Sequence, residues 1–110
     1  MIDQTIQDLE SQIQSTKNLT STQKHELQVL VDSLKKEVVA LAKTHHEDAD
    51  SIASFARVTT GEVLKDNRNP KLLAIAVEGV RASVEKFEVS HPALTLTVNN
   101  ISTYFSNLGL

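Results

Sequence analysis

Apolar residues recur along this chain at intervals of three and four, the spacing that lines one face of an α-helix. Ile2, Ile6, Leu9 and Ile13 form the first such stripe and predict a helix of about four turns. The run Thr20-Ser21-Thr22-Gln23 fits a capping box, in which the Thr20 hydroxyl and the Gln23 amide satisfy backbone donors reciprocally, so a second helix starts there. Its stripe is Leu27, Leu30, Leu34, Val38 and Leu41, widened by Val31, and reaches about Thr44. The short connection predicts an antiparallel hairpin. Thr16, Thr20 and Gln23 also continue the heptad register between Ile13 and Leu27, which leaves one unbroken helix of about 40 residues as a second reading. Three successive polar seam positions and the cap signal favour the break.

The acidic run Glu47-Asp48-x-Asp50 suits the first turn of a third helix, because the macrodipole favours negative charge there. Ile52, Phe55, Ala56, Thr59 and Val63 share its expected buried face. Gly61 weakens a helix by about 1 kcal/mol relative to Ala, so this one is expected to end or bend near Thr60. Asp66-Asn67-Arg68-Asn69 reads as a loop, with Asn69 as N-cap and Pro70 at the first helical position, where its missing N–H costs nothing. The fourth helix then runs to about Phe87 on the stripe Leu73, Val77, Val80, Val84 and Phe87, broadened by Leu72 and Ala76. Pro92 opens a fifth, whose Leu94, Val98, Ile101, Phe105 and Leu108 keep the period of a bundle seam. Gly109 is expected to stop it in the left-handed conformation, with Leu110 folding back.

The expected fold is therefore all-α, a four- or five-helix bundle made of two antiparallel helical hairpins. A chain of 110 residues fits one domain. Within it, residues 1–44 form the N-terminal hairpin, 45–69 a further helix and loop, and 70–110 the C-terminal hairpin. Sparse punctuation agrees, since the first Gly is Gly61 and the first Pro is Pro70.

Composition narrows the functional classes. With no Cys there is no disulfide framework, thiolate metal site or cysteine nucleophile. Eleven Lys and Arg against 14 Asp and Glu give a net charge of −3, the opposite of a phosphate-gripping footprint. No apolar run approaches the roughly 18 residues of a membrane span, and no basic-then-apolar leader opens the chain, so a cytoplasmic location with no membrane partner is expected. From Val89 to Leu110 there is no Asp, Glu, Lys or Arg, and the face opposite the seam carries Thr95, Asn99, Ser102, Thr103 and Asn107. Uncharged polar groups are cheaper to desolvate than ions, which suggests cover on more than one side. The expected interface of a homodimer, or with another protein, is then Leu94, Val98, Ile101, Phe105 and Leu108, with Tyr104 near its rim. A Ser/Thr/Asn-rich solvent face is the other reading of the same residues.

Phe87-Glu88-Val89-Ser90-His91-Pro92-Ala93-Leu94, followed by a last helix ending Leu108-Gly109-Leu110, resembles the C-terminal signature of short bacterial helical proteins grouped as domain of unknown function 4404. The likeness covers residues 77–110 most specifically and 1–44 loosely. It implies a small bacterial helical protein, with residues 45–70 inserted relative to shorter members, and it implies no activity.

Three clusters bear on chemistry. His45-His46-Glu47-Asp48-x-Asp50 is the densest set of potential ligands, and His46 and Asp50 share a helical face. The pattern is H-E-x-x-D where the zinc-protease motif needs a second His, so a weak zinc or nickel site would take His45, His46 and Asp50, with a further ligand from elsewhere in the chain, His25 being the candidate. Residues 52–65 resemble the helix-turn-helix of sugar-operon repressors, with Arg57 standing where that family's turn has glycine. Arg57, Lys65, Arg68 and Lys71 would then supply the phosphate contacts. His91 has no nucleophile or acid in a recognisable motif, and there is no phosphate loop, dinucleotide glycine motif or nucleophile elbow. No catalytic residue and no cofactor are expected. The reading is a non-enzymatic module for protein binding or self-assembly, with DNA binding and weak metal binding as alternatives.

Overall fold

The computed structural model describes residues 2–109. It contains five helices: α1 (Ile2–Ser15), α2 (Ser21–Ala42), α3 (His46–Val63), α4 (Pro70–Ala82) and α5 (Pro92–Gly109), with a 3₁₀ turn at Glu85–Phe87. No strand occurs among the described residues. The bundle measures 37 × 24 × 21 Å.

The chain breaks where the caps require it. Thr20 Oγ1 accepts from the Gln23 N–H at 3.1 Å while Gln23 Oε1 accepts from the Thr20 N–H at 2.9 Å, which completes the capping box and rules out the single 40-residue helix. Lys24 Nζ donates to the Gln14 carbonyl at 2.8 Å, satisfying an orphan acceptor at the end of α1. Asn69 caps α4 by accepting from the N–H groups of Lys71 and Leu72, with Pro70 opening the helix.

The third helix, expected as an insertion, stands at the centre. It packs against α1, α2 and α4 and, more lightly, against α5. Ala49, Ile52, Ala53, Ala56, Thr59, Thr60 and Val63 are all buried. The alanines allow neighbouring helices to approach on several sides at once. The hydroxyls that this burial takes from water are satisfied: Thr60 Oγ1 donates to the Ala56 carbonyl, and Thr59 Oγ1 donates to the carbonyls of Phe55 and of Ala76 on α4. The helix does not end near Thr60. It continues through Gly61 to Val63, held by packing that outweighs the weak propensity of one glycine.

Two differences concern the C-terminal hairpin. α4 stops at Ala82, five residues short of Phe87, and the chain tightens into the 3₁₀ turn. Val84 and Phe87 stay buried regardless, so the stripe survives although the backbone changes pitch. α5 extends through Gly109, and the expected fold-back of Leu110 lies outside the described residues.

Loops at one end of the bundle are cross-tied. Asn18 Nδ2 donates to the Leu64 carbonyl and to Asp66 Oδ1, joining the α1–α2 loop to the α3–α4 loop. The Arg68 guanidinium donates to the carbonyls of Val63 and Leu108, near the C-terminal ends of α3 and α5, where a cation is favoured by the dipole.

Candidate functional site

The residues expected to form an intermolecular interface lie inside one chain. Leu94, Val98, Ile101 and Phe105 are each at most 2% exposed, packed within the single hydrophobic cluster that also takes in α1 to α4. Leu108 is partly buried against that cluster. This corrects the expectation: Leu94, Val98, Ile101 and Phe105 face α2 and α4 of their own chain, so these four side chains are not available to a second copy. Tyr104 is half-buried and bridges to α2, its hydroxyl 3.4 Å from the Gln23 carbonyl and 3.2 Å from Glu26 Oε1. Burial first, then the hydrogen bond to Glu26 and the negative charge of that carboxylate, raise the Tyr104 phenol above its ordinary pKa of 10.0.

Exposed apolar surface concentrates elsewhere. Phe55 and Val58 on α3, 45% and 50% exposed, face Leu72 and Ile75 on α4, 49% and 60% exposed. Between them runs a groove of about 380 Å³ with Thr59, Ala76 and Gly79 along its lining. Gly79 lies under the Phe55 ring, where an added Cβ would sit 3.5 Å from Phe55 Cε1, and this lack of a side chain keeps the floor low. A second hollow of about 340 Å³, lined by Asp50, Ser51 and Ser54, shares Phe55 and Val58 as its wall. The apolar face thus extends to both sides of the α3 ridge.

Phe55 was expected in the core and Leu72 as a broadening of the α4 stripe. Their exposure has one cause: the apolar arcs of α3 and α4 are wider than the neighbouring helices cover. The groove also carries little polar chemistry. Thr59 is committed to the Phe55 and Ala76 carbonyls, and Glu62 is ion-paired with Lys65 at 2.8 Å.

The expected nucleic-acid contacts are not assembled. Residues 52–63 lie in one continuous helix with no turn at Arg57, because Ala53, Ala56 and Thr60 are enclosed by packing on either side of it. Lys65 is paired with Glu62, and Arg68 is bound to two backbone carbonyls. The metal-ligand set separates as well. His46 Nδ1 does stand 3.4 Å from Asp50 Oδ2, the i, i+4 pair that the spacing implies. His45 turns elsewhere, and among the described residues no three His, Asp or Glu side chains form a metal-binding group with them or with His25.

His45 instead joins a ring cluster that sequence spacing did not reveal. Its imidazole meets the Phe87 ring at 5.2 Å and the His91 ring at 5.9 Å, and Phe87 and His91 are 5.5 Å apart, all edge to face. Thr44 Oγ1 and Ser90 Oγ hold the two Nδ1 atoms at 2.8 and 2.9 Å. Lys86 reaches from beside Phe87 to Asp48 on α3 at 2.7 Å. Long-range contacts of His45 with Phe87 and His91 and of Asp48 with Lys86 build this clasp between the α2–α3 and the 3₁₀–α5 junctions, which no local pattern could signal.

No protein-family model, curated protein or solved structure matches the chain. Among the described residues no helix is long and apolar enough to cross a membrane.

Proposed function

We propose that this chain is a protein-interaction module and not an enzyme, and that it associates with a second copy of itself through the α3–α4 face. One observation carries the reading: Phe55, Val58, Leu72 and Ile75, four large apolar side chains about half-exposed, converge on one groove. Contiguous exposed apolar surface of this kind marks interaction sites more often than scattered apolar residues do. A small-molecule site of similar volume would place a few free polar groups to orient its ligand, and here the groove's hydroxyl and carboxylate are already engaged within the chain. A helix surface laid on the groove needs no such groups. In this reading the chain is a cytoplasmic member of the short bacterial helical family that its C-terminal motif resembles, and the family brings no reaction.

Sedimentation velocity over a concentration series tests it. The mass of the wild-type chain should rise from 12.1 kDa toward twice that value by high micromolar concentration, and Val58→Asp should remain at 12.1 kDa with an unchanged helical spectrum. A wild-type chain that stays at single-chain mass throughout overturns the proposal.

A further inference from the structure

The outermost line of α4 is Lys71, Ile75, Glu78 and Ala82, spaced 4, 3 and 4 and exposed throughout. Ile75 at its middle is the most exposed of the groove residues. Lys71 lies one turn before it and Glu78 one turn after it. Neither side chain has an ion-pair partner among the described residues, so both are free to pair across an interface. The face therefore carries one unmatched cation and one unmatched anion, placed almost symmetrically about an apolar centre.

From this arrangement we infer that the dimer is two-fold and antiparallel, α4 crossing α4 at Ile75 with Lys71 of each copy against Glu78 of the other. The inference rests on the self-association reading above. A two-fold contact uses the same patch on both copies, so it must be self-complementary. Antiparallel α4 helices meet this condition twice over, because the axis near Ala74 and Ile75 exchanges positions 71 and 78. A parallel arrangement would set Lys71 against Lys71 and Glu78 against Glu78, an arrangement that like-charge repulsion disfavours. Shape agrees with charge. Ile75 of one copy fits as a knob between Lys71, Ala74, Ile75 and Glu78 of the other, and the small exposed Ala74 leaves room for close approach. Phe55 and Val58 then flank the incoming helix from α3.

Charge reversal on the full chain tests the pairing. Lys71→Glu and Glu78→Lys should each weaken homodimerisation by about tenfold at low salt, since each change spoils two symmetric contacts. The double variant should return to wild-type affinity. An equimolar mixture of the two single variants should form heterodimers in preference to either homodimer, because their 71 and 78 positions carry complementary charge only across the mixed pair. Isotope-labelled chains in native mass spectrometry read this directly. If Ile75→Asp is monomeric while the charge reversals associate like wild type and mix at random, the antiparallel pairing is wrong and the α3–α4 docking reading stands. If the wild-type chain itself never dimerises, both fall together.

Discussion

α5 and the α3–α4 face are both rich in apolar side chains at helical spacing, yet the fold treats them oppositely. The Leu94, Val98, Ile101, Phe105 stripe of α5 is enclosed by the chain's own helices, while Phe55, Val58, Leu72 and Ile75 remain about half in water. The difference lies in what surrounds each helix. α5 has α2 and α4 on its flanks, and α3 reaches it as well, so a narrow stripe is covered completely. α3 is surrounded on its inner sides by α1, α2 and α4, but the outer surface that it shares with α4 has no further helix above it. Regular periodicity thus reports burial without saying whose surface does the burying. Surplus apolar width beyond the stripe is the better sign of a partner.

Substitutions in the two regions should separate fold stability from association, and the largest effect belongs to α5. Phe105→Ala should cost about 3–5 kcal/mol and Ile101→Ala about 2–5 kcal/mol in denaturant unfolding, by leaving cavities in a closed core. Ile75→Asp should lower the stability of the single chain by no more than about 0.5 kcal/mol, as surface changes usually do, and should make the melting temperature independent of protein concentration. Equal losses for Ile75→Asp and Ile101→Ala in the unfolding of the single chain would erase the distinction between inside and outside.

Arg68 gives the next effect in size. Its guanidinium holds the ends of α3 and α5 together, so Arg68→Ala should cost about 1.5 kcal/mol, with loss of protection in the last turn of α5 by hydrogen exchange. A variant of unchanged stability would free Arg68 for the contacts that the sequence suggested. Ser102 supplies an effect of opposite sign. It is fully buried on α5 and its Oγ has no hydrogen-bond partner among the described residues, so Ser102→Ala should stabilise the fold by about 1 kcal/mol.

The smallest effect concerns pH. Tyr104 is the one tyrosine of a chain without tryptophan, so its ultraviolet titration is free of overlap. Its midpoint should lie above 10.0, and Glu26→Gln should bring it down. The folded state holds this proton more tightly than the unfolded chain does. The associated stability is therefore complete below pH 10 and is lost as the pH rises through the folded midpoint. Tyr104→Phe should remove that alkaline loss.

Much of the architecture was legible in the sequence. The Thr20–Gln23 box and the Asn69-Pro70 start are local devices, and each fixes a helix boundary through backbone donors only a few positions away. The position of α3 was not legible, because a helix reads as an insertion or as a hub depending on which partners surround it. The same limit explains Phe55, whose place beside Ile52 and Ala56 in the stripe gives no hint that it lies over Gly79 at the surface. In the ring cluster, Phe87 and His91 are near in sequence, but His45 reaches both from more than 40 positions away. The α5 interface failed for a related reason: the uncharged face is open to solvent at Asn99, Thr103 and Asn107, and the apolar seam is covered by α2 and α4 of the same chain.

Hydroxyl-radical labelling with mass spectrometry compares the two regions within one sample. Phe105 should resist oxidation at every protein concentration, while Phe55 should label readily in the nanomolar range and become protected as the chain reaches high micromolar concentration. Phe55 labelling that does not change with concentration would contradict the account, because the α3–α4 face would then have no second copy to cover it.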